Sequence, residues 1–256
     1  MRESWRWFGP NDPVTISDIR QTGATDIVSA LHHVPIGEIW TIDEIRKHQN
    51  LIESGNKKQS PLTWSVVESI PVHEDIKLGR DGCQASIDNW SKSMENLAAC
   101  GIKTICYNFM PVIDWTRTDL AYKLNTGAYA LRFDQTKFAA FDLYILQRAD
   151  ADADYTEAEI NEAREVYQQM SPEESERLTH NIIAGLPGKM TDSYSLDDFK
   201  KALAQYRHIG HAELRDNLNR FLSHVLPKAE KLGVKLAIHP DDPPRDMFGL
   251  PRIICT

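Results

Sequence analysis

The feature that most limits the fold of this sequence is a repeat of short apolar segments separated by helical patterns. The segments are rich in β-branched or aromatic residues and lack strict polar alternation, which predicts strands covered on both faces, as in a parallel sheet. They are SWRWFG (4–9), TDIVSAL (25–31), TWSVVES (63–69), KTICYNFM (103–110) and KLAIHP (235–240). The first four begin about 20 to 40 residues apart, on the scale of a βαβ unit.

Helical patterns fill the gaps between the first four segments. Thr15 precedes one helix, and Thr41 with Glu44 has the spacing of a capping box. The stretch SIDNWSKSMENLAACG (86–101) places Ile87, Trp90, Met94, Leu97 and Ala98 on one face. Right-handed repetition of such units gives either an open doubly wound sheet or a barrel.

The loop after the first segment favours the barrel. A dinucleotide fold needs a glycine-rich phosphate loop there, and WFGPNDPVT (7–15) has two prolines instead. A length of 256 residues is also normal for one α/β barrel. We therefore predict a (β/α)₈ barrel, represented by about five strands, as a single domain over residues 1–256.

The fourth and fifth segments are much farther apart than one crossover requires. The stretch 120–133 reads as a β-hairpin with its turn at Asn125–Gly127, and helical patterns follow it. We predict a hairpin and helical insertion over residues 119–232. In barrels, the loops after the strands build the active site, so this insertion is expected to form a cleft wall, a lid or an oligomer contact.

Composition excludes some partners. The chain is 41% hydrophobic and 26% charged, with a formal net charge of −8, which speaks against nucleic acid or an anionic membrane as the main partner. Cys83, Cys100, Cys106 and Cys255 form no CxxC motif, and we expect a reducing, cytoplasmic setting. We see neither a signal peptide nor an apolar stretch of membrane-spanning length.

Polar and aromatic residues stand at or just past the carboxyl ends of the predicted strands, where barrel enzymes place their chemistry. The candidate site residues are Arg6, Trp7, Glu68, Asn108, Arg117 and His239. By themselves, these residues indicate a metal-dependent barrel that acts on a small polar molecule. They do not determine which reaction it catalyses.

Several candidates also have a structural interpretation. His239 could bind a metal or only hydrogen-bond the backbone, whereas Glu68 in a buried run needs a metal, a cation or donors to offset its burial. His32 and His33 point to opposite faces of an extended chain, so at most one of them faces a site.

Two further candidates leave the same choice open. Trp7 could be core or a wall against substrate carbons. Arg117 could pair with Asp114 or Asp119, or it could bind a substrate carboxylate with its guanidinium fork.

Long strings of the sequence resemble one family over nearly the whole chain. They include RWFGPNDPVT, IVSALHHVPIGEIW, VVESIPVHEDIKLG, CYNFMPVIDWTRTDL, LTHNIIAGLPG and LAIHPDDPPRDMFGLPRII. Together they are similar to mannonate dehydratase of the bacterial hexuronate pathway. The resemblance implies a barrel of the xylose isomerase-like kind, a Mn²⁺ or Fe²⁺ cofactor, and loss of water from D-mannonate to give 2-keto-3-deoxy-D-gluconate.

The resemblance also assigns His239 as a metal ligand, because the histidine of HPDDPP matches one in the family. It implies that the other ligands and the acid/base residues lie beyond Thr256, that Cys255 is not the family's cysteine ligand, and that residues 1–256 alone are inactive and poorly soluble. We expect the full protein to be a homo-oligomer, a dimer.

Two alternatives stay open at this stage. One is a metal-dependent sugar isomerase or epimerase on the same barrel. The other is an inactive truncated paralogue that only binds a sugar acid.

Overall fold

The five segments predicted as strands pair side by side in one parallel sheet. The structure, a computed structural model, describes residues 2–54, 60–183 and 195–255. In chain order its elements are β1 (Ser4–Arg6), α1 (Ile16–Gln21), β2 (Asp26–Ser29), α2 (Ile42–Glu53), β3 (Thr63–Val67), α3 (Glu74–Lys77), α4 (Cys83–Ala99), β4 (Thr104–Tyr107), β5 (Asp119–Lys123), β6 (Tyr129–Arg132), α5 (Gln135–Ala140), α6 (Glu157–Gln169), α7 (Pro172–Ile183), α8 (Leu196–Ala204), α9 (His211–Leu232) and β7 (Lys235–Ile238), with a π-helical turn at Phe141–Leu146 and a 3₁₀ turn at Ala151–Asp154.

The parallel sheet belongs to the first of two compact units, which comprises Met1–Phe109 and Ala212–Pro240. Its strand order is β1-β2-β3-β4-β7, and every pairing in it is parallel. The α/β class and the parallel sheet are therefore confirmed. Because parallel strands share one direction, their carboxyl ends meet at one edge of the sheet.

The two faces of this sheet have different surroundings. Ile27, Val67 and Ile105 are fully buried on one face, where Tyr107 packs against Trp90 of α4, with ring centroids 6.3 Å apart. On the other face, strand alternation places Val28 and Cys106, which are half-buried, and Ala237, which is exposed. Helices thus cover one face more fully than the other.

Helix α4 buries the apolar stripe that the sequence predicts. Ile87, Trp90, Met94, Leu97 and Ala98 are all between 0% and 7% exposed. Within the described residues, no helix is long and apolar enough to cross a bilayer.

The second unit comprises Met110–His211 and Asp241–Thr256. It contains the predicted hairpin, formed by antiparallel β5 and β6, and helices α5 to α8. In the structure Ala212–Leu232 of α9 groups with the sheet; the single domain 1–256 and the insertion boundaries 119–232 stay predictions. Residues 184–188 of the string LTHNIIAGLPG lie outside the described residues.

The first helical pattern after the hairpin divides into α5 and the π-helical turn. A π turn inserts one residue into the helical hydrogen-bond pattern and rotates the side chains that follow it. Here the turn contains Asp142, which is 0% exposed and accepts hydrogen bonds from Arg148 and Tyr155.

Candidate functional site

The sheet ladder places three of the predicted site residues at the same edge of the first unit. Glu68 directly follows β3, and its N–H donates to the carbonyl of Ser29 at 2.9 Å. His239 directly follows β7, and its N–H donates to the carbonyl of Tyr107 at 2.8 Å. Ladder hydrogen bonds therefore hold the backbone of both residues, while Arg6 is the last residue of β1.

Arg6, Glu68 and His239 form what we call the strand-end cluster. Glu68 Oε1 lies 3.2 Å from Arg6 Nη2 and 3.7 Å from His239 Nε2. His239 Nε2 also lies 3.1 Å from the Glu68 carbonyl oxygen. The side chains of Arg6 and His239 are each 36% exposed and that of Glu68 is 16% exposed. The cluster is thus a group of charges and an imidazole that solvent or a ligand can reach.

The Arg6 guanidinium is held in place but leaves donors free. Its Cζ lies 4.5 Å from the centroid of the Phe8 ring, a cation–π contact. Its Nε is buried with no hydrogen-bond partner in the described part of the chain. A buried donor without an acceptor costs about 1 to 3 kcal/mol, so this atom marks a position where an acceptor would be stabilising.

Asn108 and Cys106 extend the candidate site along β4. Asn108 is 7% exposed, and since Tyr107 pairs with Ile238, it lies level with His239. Cys106 comes two residues earlier and so points to the same face. Burial raises the pKa of the Cys106 thiol, and the charge of Glu68 raises it further. Cys106 was not among the predicted site residues; its two-residue spacing from Asn108 was the sequence signal for this position.

Trp7 follows Arg6 and points to the opposite face. It is 4% exposed and stacks on His48 of α2, with ring centroids 5.4 Å apart. The Ser29 hydroxyl donates to the Trp7 carbonyl at 2.7 Å and lies 2.9 Å from His48 Nε2, which makes Nε2–H the donor of that second bond. As a substrate contact Trp7 stays a prediction, and in this structure it packs as core.

His48 is a buried titratable group behind the sheet. Burial lowers its pKa to about 4, and the charges of His32 and His33 act in the same direction. The edge of its ring faces Trp64, with centroids 4.7 Å apart. It is therefore a neutral packing histidine at neutral pH.

Arg117 lies in the second unit and has an internal partner. Its Nη1 and Nη2 donate to the two carboxylate oxygens of Asp242 at 3.2 and 2.5 Å. Its Cζ lies 5.1 Å from the centroid of the Trp115 ring. Proximity in sequence predicted Asp114 or Asp119 as a partner of Arg117; Asp242, which lies 125 residues away in sequence, was not predicted.

A second aspartate of the HPDDPP string is also engaged within the second unit. Asp241 accepts a hydrogen bond from the Ile254 N–H at 2.6 Å. Its carboxylate lies 3.6 Å from Nη1 of Arg252, and both side chains are at most 2% exposed. Asp241 thus anchors the segment that follows it.

A metal site needs more ligands than the strand-end cluster offers. Protein sites for ions such as Zn²⁺ use three or four protein ligands. Across residues 2–54, 60–183 and 195–255, no three His, Cys, Asp or Glu side chains converge in a way that could hold a metal ion. Glu68 and His239 are potential donors, but the described residues do not form a complete metal site.

The fold and the cluster together define a class of protein. This class comprises α/β proteins with a parallel sheet. At the carboxyl ends of the strands, the sheet presents an arginine, a glutamate and a histidine. Such a set can bind a small polar molecule through charge and hydrogen bonds.

The comparisons with known proteins identify the family. The family profile described as D-mannonate dehydratase (UxuA) matches residues 1–256, so the chain belongs to this family. It is 55% identical over 256 residues to mannonate dehydratase of Chromohalobacter salexigens and 54% identical over 256 residues to that of Brucella canis, covering 100% of this chain and 64% of each relative. The chain therefore spans about 64% of the length of these relatives.

A solved structure supports the same assignment. The crystal structure of mannonate dehydratase from Streptococcus suis serotype 2 matches with a TM-score of 0.71 and 35% sequence identity. The match covers 100% of this chain and 58% of that one.

Proposed function

We propose that the protein containing these residues is a mannonate dehydratase, a hydro-lyase that converts D-mannonate to 2-keto-3-deoxy-D-gluconate and water. The family match over residues 1–256 carries this proposal. The strand-end cluster supports it, because a sugar acid has a carboxylate and hydroxyls that suit an arginine, a carboxylate and an imidazole.

The sheet is proposed to be part of a (β/α)₈ barrel of the xylose isomerase-like kind. Parallel sheets are almost always covered on both faces. Here Ile105 is fully buried on the helix-covered face, while Cys106 on the other face is half-buried and Ala237 is exposed. In a barrel this second face would line the interior, with the strand-end cluster at its mouth.

The roles of individual residues are part of the proposal. His239 would supply one ligand to a Mn²⁺ or Fe²⁺ ion, with the remaining ligands outside the described residues. The proposed substrate contacts are Arg6, Trp7, Glu68, Asn108 and Arg117. Dehydration needs a base for the C2 proton and an acid for the C3 hydroxyl. We assign substrate binding and orientation to these residues, and we assign them neither of the two proton transfers.

Product analysis tests the reaction. The whole protein, incubated with D-mannonate and Mn²⁺, should form a 2-keto-3-deoxy acid that is lighter than the substrate by one water. A product of unchanged mass would instead favour the isomerase or epimerase alternative. Calorimetric binding of mannonate without any product would favour the non-catalytic paralogue. The same assay on residues 1–256 tests the separate prediction that they are inactive alone.

Metal content tests the role of His239 without relying on turnover. His239→Ala in the whole protein should lower bound Mn²⁺ or Fe²⁺, measured by elemental analysis after dialysis. His224→Ala is the control, because His224 is exposed and bonds the Arg220 carbonyl in its own helix. Equal metal occupancy in both variants would remove His239 from the ligand set.

Cytoplasmic location and dimer formation stay predictions.

A further inference from the structure

The two arginines among the candidate residues differ in how many donors they have left. Arg117 directs both terminal nitrogens at Asp242, and its Nη1 also donates to the Thr116 carbonyl at 2.7 Å. Its fork is therefore filled by the protein. Arg6 makes an ion pair with Glu68, but its guanidinium donates no hydrogen bond to a described residue, and its Nε is buried without a partner.

Arg6 is also preorganised. Its guanidinium stacks over Phe8 and is fixed on one side by Glu68. A guanidinium is always charged and offers five N–H donors in a rigid plane, so a partner on one nitrogen leaves other donors for a second acceptor. Buried polar atoms in native proteins nearly always have partners, and an exception points to a water, an ion or a ligand that completes the site.

We propose that Arg6 receives the carboxylate of the substrate and thereby selects sugar acids over neutral sugars. The planar fork matches a carboxylate and can form two parallel charge-assisted hydrogen bonds with it. This inference rests on the proposed function, since it names the group that recognises the acid end of its substrate.

Because of Glu68, recognition of a carboxylate by Arg6 depends on direct contact and not on a general attraction of anions. The Glu68 carboxylate offsets the charge of Arg6 at 3.2 Å, so the cluster has little net positive charge to attract anions in general. A ligand carboxylate must therefore meet the free donors of Arg6 directly. A neutral sugar would leave those donors without an acceptor, and this difference generates the selectivity.

The test compares an acid with its uncharged amide. Calorimetry measures the affinities of D-mannonate and D-mannonamide for the whole protein and for its Arg6→Met and Arg6→Lys variants. We expect Arg6→Met to weaken mannonate binding by about 10- to 100-fold and to change amide binding less than about threefold. Arg6→Lys keeps the charge without the fork and should retain part of the preference.

Arg2→Met is the matched control, because Arg2 is 76% exposed and pairs with Asp26; it should leave both affinities unchanged. Circular dichroism establishes whether each variant is folded. If Arg6→Met is unfolded, the comparison of acid and amide affinities is made with Arg6→Lys.

Each outcome decides between the two proposals. If the wild type dehydrates mannonate and Arg6→Met keeps the wild-type ratio of acid to amide affinity, the inference is wrong while the proposed function stands. Equal losses for acid and amide would show a purely structural role and also overturn it. Absence of dehydration by the wild type contradicts the proposed function alone, because the ratio of affinities still tests Arg6. A wild type that binds the acid no better than the amide overturns the inference in either case.

Discussion

The strand-end cluster of the first unit and a buried ion network of the second unit use similar groups in opposite ways. The buried ion network consists of Asp142, Arg148, Asp154 and Tyr155. In it Asp142 is fully buried and accepts hydrogen bonds from Arg148 Nε at 2.9 Å, Arg148 Nη2 at 2.8 Å and the Tyr155 hydroxyl at 2.9 Å. Burial opposes the charge of Arg148, yet its bonds to the two aspartates raise its pKa above the usual value.

The strand-end cluster lacks this saturation. Arg6 and Glu68 lie 3.2 Å apart, and their side chains are 36% and 16% exposed. The Arg6 guanidinium also keeps a donor that has no partner among the residues that the structure describes. A charge that the protein itself satisfies contributes to the fold, whereas a half-exposed charge with free donors is available to a ligand. The difference in hydrogen bonding and exposure therefore distinguishes these two regions.

The largest expected effect on the free energy of unfolding comes from removing the carboxylate of Asp142. Asp142→Ala leaves Arg148 and Tyr155 partly buried without their shared acceptor, and breaking a buried pair in this way costs about 3 to 5 kcal/mol. Burial and the charge of Asp142 already raise the pKa of Tyr155, so the tyrosine stays neutral in either case. Urea denaturation followed by circular dichroism measures the change in the free energy of unfolding.

Two variants complete that measurement. Asp154→Ala removes a partner of Arg148 that is 47% exposed and should cost less than about 1 kcal/mol. Glu68→Gln in the strand-end cluster should also change the free energy of unfolding by less than about 1 kcal/mol. If Glu68→Gln is as destabilising as Asp142→Ala, the distinction between the two regions fails.

A smaller effect on the free energy of unfolding is expected when pH is lowered, because His48 of the first unit is buried. The folded-state pKa of His48 is about 4, below the ordinary value of 6.5. Between these values the unfolded chain binds a proton that the folded chain does not, so stability falls as pH drops from about 6.5 to about 4 and this contribution levels off below. The shift corresponds to about 3 kcal/mol.

Urea denaturation between pH 7 and pH 4.5 checks the contribution of His48. His48→Gln should flatten the dependence of unfolding free energy on pH, because glutamine does not titrate. His224→Gln changes an exposed histidine of the same unit and should keep the wild-type slope. An unchanged slope in His48→Gln would show that the histidine is already hydrated.

Local sequence patterns predict the strands and helices of this fold because burial imposes them. Each predicted strand is present, because short apolar runs rich in β-branched and aromatic residues suit strands that are covered on both faces. The parallel direction then brings Arg6, Glu68 and His239 to one edge. Pattern alone does not tell which face Trp7 occupies, because that depends on where helix α2 and His48 pack.

Long-range pairing is the part that sequence patterns miss. Asp242 and Arg117 lie far apart in sequence and meet only through the fold of the second unit. The network around Asp142 likewise depends on a π-helical turn, which interrupts an otherwise helical pattern without a signal of its own. Both features require the three-dimensional structure.

The smallest expected effect on the free energy of unfolding concerns Arg117 and Asp242, an ion pair within the second unit. Their geometry is bidentate, but Asp242 is 50% exposed and Arg117 is 18% exposed, so solvent screens the pair. A double-mutant cycle with Arg117→Met and Asp242→Asn should give a coupling energy of about 0.5 to 1 kcal/mol in urea denaturation. The coupling should shrink at about 1 M salt, where the screening length is only about 3 Å. A salt-independent coupling near 3 kcal/mol would place this pair with the buried ion network, and the degree of exposure would then not be what separates structural from available charges.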